Sequence, residues 1–446
     1  EDTLSLHDAL PISSDTFGNP TSNRTLASVM ISPGAGGLIQ IQSALRAALD
    51  GTGPAIAPIP TEPESIATTI KSVIRADDPD FPIESDEIAL VCSTSGSTGT
   101  PRGTLLSRNA LHASATAFGR RFGTDSRWVL AMPIHRIAGL MVLVRSHFNN
   151  SPIVLDPSVG GARQFSAPTF WATTQSAVRS SKADGRPLMI SLVPTQISRL
   201  IDSGKVGIEA LQAYDLVLSG AAATPQPLLE KLRQLGINVS VSYGMSETCG
   251  GCVFDGMPLD GVQVSIASEQ DAQPGRISIA GPVVASGYRL RPDLDGVSFV
   301  ENRFITHDVG AIDPAGLIHV LGRLDDIVTV GGVNVALSAV EAAIRHHPSI
   351  DEVAVIDVTD PLWGSLPLAY VVLRANEAIT DEEKNILRRE IQETVAQRIG
   401  RAATPRTVSF VAELPMLDSG KIDRLGLRLQ ANQEISDGRL NHPGAI

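Results

Sequence analysis

The stretch Ser93-Thr94-Ser95-Gly96-Ser97-Thr98-Gly99-Thr100-Pro101-Arg102-Gly103 consists almost wholly of small hydroxyl residues and glycines. With no large side chain in the way, such a segment brings backbone N–H groups and hydroxyls close to phosphate oxygens. It is not a Walker loop, which needs Gly-Lys-Ser/Thr five residues after its first glycine. Here Gly96 leads to Pro101-Arg102-Gly103. The apolar run Ile88–Cys92 before it predicts a buried strand, and Ser107 after it predicts the N-cap of a helix reaching about Arg121. The segment is therefore expected to be a strand-to-helix loop.

A second candidate is Cys249-Gly250-Gly251-Cys252. A lone Cys-x-x-Cys lacks the second ligand pair of a structural zinc site and here does not start a thioredoxin-like helix. The expectation is small residues lining a pocket.

The Ser93–Gly103 segment resembles the phosphate-binding motif of the adenylate-forming superfamily (acyl-CoA synthetases, firefly luciferase, peptide-synthetase adenylation domains), with pattern Ser/Thr-Ser-Gly-Ser/Thr-Thr-Gly-x-Pro-Lys-Gly. Arg102 stands for the usual Lys; the charge is kept, but a guanidinium fork replaces a point charge. Further stretches follow in the family's order. Tyr243-Gly244-Met245-Ser246-Glu247-Thr248 is similar to the family's Tyr-Gly-x-Thr/Ser-Glu motif. The resemblance implies that Tyr243 stacks on adenine, Thr248 meets the α-phosphate and Glu247 binds Mg²⁺ together with ATP phosphates, which suits a hard ion that shares carboxylate and phosphate oxygens. Gly220-Ala221-Ala222 resembles the adenine-edge loop. Thr306-His307-Asp308 resembles Thr-Gly-Asp, with Asp308 on the ribose hydroxyls. Gly322-Arg323-Leu324-Asp325-Asp326 implies a ribose or phosphate contact from Arg323 and a domain hinge at Asp325. Leu414–Arg424 resembles the catalytic-lysine loop, which implies that Lys421 bridges the attacking carboxylate and the α-phosphate. Adenylation is in-line displacement at phosphorus, so positioning and electrostatics supply most of the catalysis.

These motifs need a scaffold. Strands and helices alternate from Ile88 to Ser242, which predicts an α/β fold with mainly parallel, doubly wound sheets whose strand C-terminal ends face a ligand crevice. Gly51–Pro63 reads as a Gly/Pro-rich connection. Short alternating runs over about 261–321 predict a small antiparallel, barrel-like subdomain. Beyond the hinge, helices at Ser338–His346 and Asp381–Gly400 and strands at Val353–Asp357, Ala369–Leu373 and Arg406–Phe410 predict a small mobile α+β domain. The expected organisation is a large AMP-binding domain over 14–324 and a small catalytic-lysine domain over 325–430, with polar, frayed residues after about Ala431. Residues 1–13 resemble translated adapter sequence and are set aside as artefact or disorder.

The chain has 446 residues, enough for two to four domains. Its net charge of −12 argues against nucleic-acid binding. No apolar run approaches the ~18 residues that span a bilayer, and three cysteines are too few for a disulfide framework, so a reducing cytoplasm is the default.

Within the superfamily, the short chain, Leu192-Val193-Pro194-Thr195-Gln196, Tyr243–Gly251 and Pro133-Ile134-His135 resemble the o-succinylbenzoate–CoA ligase subfamily of menaquinone biosynthesis. That implies ATP, CoA and a small carboxylic acid as substrates, with Mg²⁺ as cofactor. Candidate acid contacts are His135, Arg145, Arg199, Thr195, Gly250 and Gly251. Another acyl- or aryl-CoA synthetase, or a stand-alone adenylating enzyme, remains open, as do a homodimer and a non-enzymatic adenylate sensor. The intact Glu247, Asp308, Arg323 and Lys421 argue against the sensor.

Overall fold

The computed structural model describes residues 22–95, 101–267, 274–360, 363–374, 380–416 and 422–437. Gly96, Ser97, Thr98, Gly99, Lys421 and segment 1–13 lie outside the described residues, as do the side chains of Ser95 and Asp325.

Two sheets form the body of the large domain. The first orders its strands Ala27–Ile31, Ile56–Pro60, Ile88–Ser95, Pro101–Ser107 and Gly287–Tyr288. Its first three strands are parallel and the others antiparallel. The second runs Met257–Pro258, Gly250–Phe254, Val239–Met245, Leu216–Ser219, Leu188–Leu192, Arg127–Leu130, Ile153–Leu155, and its last five strands are parallel. Parallel neighbours need crossover connections. Helices Ile137–Asn149, Ala167–Asp184, Pro194–Asp202 and Gln226–Gln234 supply them. The expected α/β fold is present.

The structure differs from the sequence reading in three places. The phosphate segment does not join a strand to a helix. Its described residues lie in two strands that pair antiparallel, from Ile88↔Ser107 to Ser95↔Pro101, as the arms of a hairpin. The second strand escaped notice because Pro101 and Gly103 disfavour strands; Thr104, Leu105 and Leu106 are nonetheless buried. Ser107 then caps the Arg108–Phe122 helix as expected, its hydroxyl accepting from the Ala110 N–H at 3.1 Å. The Gly51–Pro63 connection also contains a strand, Ile56–Pro60, buried throughout. Proline is a poor strand residue because it cannot donate to the ladder. Pro58 and Pro60 are tolerated because pairing with Ile88–Ser95 is limited to Ile56↔Leu90.

Residues 263–323 form an antiparallel sheet, with Gln263–Ala267, Gly275–Ala280, Arg303–Ile312 and Phe299–Val300 in order and Ile318–Arg323 paired to Arg303–Ile312. The small domain carries a fourth sheet around Ile350–Asp360 and Gly364–Leu373, packed by helices Leu337–Arg345 and Asp381–Arg398. Its buried apolar cluster runs from Val328 to Ala431 and includes no large-domain residue. Of the tail expected to fray after about Ala431, the residues up to Ser436 instead continue a helix, Arg424–Ser436. Asp423 caps it through the Gly426 N–H, and Leu427 and Ala431, one turn apart, seat it on that core. Among the described residues, no helix is long and apolar enough to cross a membrane.

Candidate active site

Parallel α/β sheets bind ligands outside the C-terminal ends of their strands, and most of the candidate residues lie there. The loop after Leu216–Ser219 carries Gly220–Ala222, with Ala221 in the left-handed region at φ 63°. The neighbouring strand Val239–Met245 delivers Tyr243 and Gly244 and is followed by the turn Ser246–Thr248. Gly244 is required by close approach, since a Cβ there would stand 2.1 Å from the Gly250 carbonyl oxygen.

Tyr243 donates its hydroxyl proton to Asp308 Oδ2 at 2.7 Å. The antiparallel register sets Asp308 opposite Arg323, whose Nη1 is 3.9 Å from Asp308 Oδ1. Thr306 steadies this carboxylate's backbone, accepting the Asp308 N–H at 2.9 Å and donating to the Ile277 carbonyl at 2.8 Å. Burial, then the Asp308 charge, pushes the Tyr243 phenol well above its ordinary range, so it stays a donor. Three motif residues from distant parts of the chain thus meet. His307, where the family has Gly, is exposed.

Glu247 is 9 % exposed and accepts a hydrogen bond from the Tyr288 hydroxyl at 2.8 Å. Among the described residues, no three His, Cys, Asp or Glu side chains gather to hold a metal. One buried carboxylate near a phosphate segment is a donor set that fits Mg²⁺, which keeps waters and substrate phosphates as its other ligands. Thr248 departs from expectation. It is fully buried, its hydroxyl donates to the Gly250 carbonyl at 2.8 Å and accepts the Met245 N–H at 3.0 Å, and so it clamps the turn rather than facing a phosphate.

On the hairpin, Thr94 pairs with Arg102. The Arg102 guanidinium lies 5.8 Å from the Tyr288 ring centre. Ser93 is buried, and its hydroxyl has no hydrogen-bond partner among the described residues. Its carbonyl accepts from Arg136 Nη1 at 3.4 Å.

A cavity of about 310 Å³ opens at the C-terminal ends of other strands of both sheets. His135, Thr195, Gln196 and Arg199 line it, with Glu62 from the first sheet and Met416 from the small domain. His135 is buried and Arg199 exposed. Met416 pairs with Ile422 in an isolated antiparallel bridge, the two residues flanking the segment that contains Lys421.

Three acid-contact candidates fall elsewhere. Arg145 is 4 % exposed inside the Ile137–Asn149 helix, its guanidinium 3.9 Å from the Phe118 ring centre and 5.6 Å from that of Trp128. Burial pushes its pKa down to about 9. It belongs to the core and does not line the cavity. Gly250 packs against Met141 and Gly251 against Ser242 and Phe254, so they fit the sheet rather than the cavity wall. Cys249 and Cys252 are likewise fully buried free thiols. Burial pushes Cys252 up to about 12 and Cys92 up to about 11, which leaves both neutral and unreactive.

Tyr288, Arg136 and Glu62 lie outside the motifs, and Gln196 and Met416 lie within them without being site candidates. Gln196 alone left a local signal, a glutamine three residues into the helix, where it accepts the Val193 N–H at 3.0 Å.

The model of the AMP-binding enzyme family matches residues 38–289, and that of the AMP-binding enzyme C-terminal domain matches residues 339–421. A Mycobacterium tuberculosis protein named "Probable 2-succinylbenzoate--CoA ligase" is 36% identical over 390 residues, 86% of this chain and 93% of that relative. The 2-succinylbenzoate–CoA ligase of Bacillus velezensis is 30% identical, covering 80% of this chain and 72% of that relative. Among solved structures, o-succinylbenzoate CoA synthetase from Bacillus subtilis in complex with its acyl-adenylate intermediate superposes with a TM-score of 0.68 at 22% identity, over 92% of this chain and 89% of that one, a likeness of fold.

Proposed function

The chain belongs to the AMP-binding enzyme family, and we propose that it is an ATP-dependent acid–CoA ligase acting on o-succinylbenzoate. It activates one carboxylate as the acyl-adenylate with release of pyrophosphate, then transfers the acyl group to the CoA thiol. The observation that carries this reading is the meeting of Tyr243, Asp308 and Arg323, with the buried Glu247 in the turn that follows the Tyr243 strand. The two ligase relatives support the choice of acid.

The nucleotide takes the Gly220–Ala222 and Tyr243 side, with Asp308 and Arg323 on its ribose. The 93–103 hairpin cradles its phosphates through Ser93, Thr94, Ser95, Gly96, Ser97, Thr98, Gly99 and Arg102. Bound beside Glu247, Mg²⁺ would neutralise phosphate charge. The acid lies in the cavity, where Arg199 meets the carboxylate that is not activated and His135 and Thr195 orient the rest. Lys421 neutralises charge that builds between the reacting carboxylate and the α-phosphorus. The pairing of Met416 with Ile422, and the place of Met416 in the cavity wall, support a lysine loop close to the acid. The large domain spans 14–324 and the small one 325–430, with the Leu324–Asp326 turn, and Asp325 in it, as hinge. The enzyme works in the cytoplasm.

The test is pyrophosphate release over a panel of carboxylic acids, with and without CoA. We expect o-succinylbenzoate to give the highest kcat/KM, and its thioester to form only with ATP. Preference for a monocarboxylic acyl or aryl acid would overturn the choice of substrate, and no pyrophosphate release with any acid would overturn the reaction.

A further inference from the structure

Tyr288 lies outside every motif above, yet its hydroxyl touches Glu247. Its hydroxyl is 2.8 Å from Glu247 Oε1, and the two side chains belong to residues only 4 % and 9 % exposed. Its backbone is held on both sides. Tyr288 pairs with Thr104 of the phosphate hairpin, and its N–H donates to Asp295 Oδ1 at 2.8 Å. The next residue, Arg289, is 1 % exposed. It donates from its backbone to the Gly103 carbonyl at 2.7 Å, and from its guanidinium to the Ile74 and Pro82 carbonyls at 2.8 Å and to Glu84 at 2.9 Å. So extensive an anchorage leaves the phenol little freedom to move.

The Tyr288 hydroxyl donates its proton to the Glu247 carboxylate in that 2.8 Å hydrogen bond. Arg102, the one departure from the family's phosphate pattern, stands over the same ring at 5.8 Å. A planar guanidinium stacks on an aromatic face and still has donors to spare, which an ammonium does less well.

We propose that Tyr288 is a positioning residue that fixes the Glu247 carboxylate for the metal-bound phosphates, and that Arg102, set over the Tyr288 ring, completes a relay from the hairpin through that ring to Glu247. The proposal rests on the reading of Glu247 as the metal-side carboxylate. A carboxylate with one oxygen held by a hydroxyl presents the other in a set direction, and outer partners of this kind are commonly worth 10–100-fold in metal affinity.

The experiment uses Mn²⁺ as the probe, titrated by electron paramagnetic resonance into the full chain with ATP and no acid, so that no turnover occurs. Calorimetry of AMP without metal is the control. We expect Tyr288→Phe to bind Mn²⁺ with ATP ~10-fold more weakly, with AMP affinity and melting temperature unchanged. Unchanged Mn²⁺ binding, or an equal loss for AMP, overturns the positioning role. Glu247→Gln separates this from the parent reading. If that variant alone loses Mn²⁺ affinity, only the role of Tyr288 falls; if it too binds Mn²⁺ as the wild type does, the metal-side assignment of Glu247 falls with it. Should Tyr288→Phe not fold, Arg102→Lys on the hairpin decides: a ~3-fold loss supports the relay, and no loss overturns it.

Discussion

The proposed nucleotide side and the proposed acid side are built differently. On the nucleotide side, Tyr243 is bonded to Asp308 and Tyr288 to Glu247, and both tyrosines are held as donors by burial. The acid side has a buried His135, an exposed Arg199 and a wall shared between two domains through Met416. Arg199 also sits in the field of Asp351 and Glu352 of the small domain, whose carboxyls burial pushes above their ordinary range. The nucleotide is common to the family, and its proposed site is preorganised by these bonds. The proposed acid site relies on a few polar groups around a cavity to which the small domain adds Met416.

The sharpest challenge to this contrast is Lys421→Ala. If the lysine belongs to the step that joins the two sides, adenylate formation should fall by roughly 10²–10³, the loss typical of removing one transition-state charge contact. Thioester formation from supplied acyl-adenylate should persist. Near-normal ATP–pyrophosphate exchange in the variant would show that the lysine serves neither side.

The next challenge sets two arginines against each other. Arg199→Leu should raise KM for o-succinylbenzoate by a factor on the order of 10–100, as expected for a charge-assisted hydrogen bond, with much less effect on benzoate-like monoacids. Arg145→Met should leave both KM values unchanged. It should also leave the protein as stable or more so, because replacing a buried charge by an apolar side chain of similar volume is often neutral or stabilising. A raised KM for the dicarboxylate in Arg145→Met would return that residue to the acid site.

Arg145 also shows where the sequence stopped being readable. The helix Ile137–Asn149 is largely an apolar run, and a cation on it invites a role with anions. Yet the helix buries every residue from Gly139 to Arg145, and the guanidinium's neighbours are Phe118 and Trp128, rings supplied by other elements. Motif residues were readable because their spacing is local: Ser107 capped its helix, and Asp308 and Arg323 lie on adjacent strands of one antiparallel sheet. Tyr288 was not, since its partner is 41 residues away and its strand, Gly287–Tyr288, is two residues long. The Ile56–Pro60 strand was hidden by prolines whose cost depends on which edge is paired. Local rules pointed to the groups proposed to touch substrate, while the groups that hold them arrive through tertiary pairing.

The smallest expected effect tests how firmly the nucleotide side is held. Asp295 accepts the Tyr288 N–H and sits so close to Gly287 that a Cβ there would stand 2.6 Å from Asp295 Oδ2. Burial is the main influence on this carboxyl; the Tyr288 N–H opposes it and the Glu84 charge reinforces it, and the pKa rises from 3.8 to about 6. Between those two values the folded protein binds more protons than the unfolded chain. The contribution of Asp295 to stability is therefore fully present below about 4 and is lost as pH rises through 6. Asp295→Asn removes that loss while its amide oxygen still accepts the Tyr288 N–H. Urea unfolding at pH 4 and pH 7 should show the variant gaining on the wild type between the two pH values, by on the order of 1 kcal/mol once the half-exposed position is discounted for solvent screening. A gap that stays constant with pH would mean that Asp295 is solvated, and that the Tyr288 turn is held less firmly than its hydrogen bonds imply.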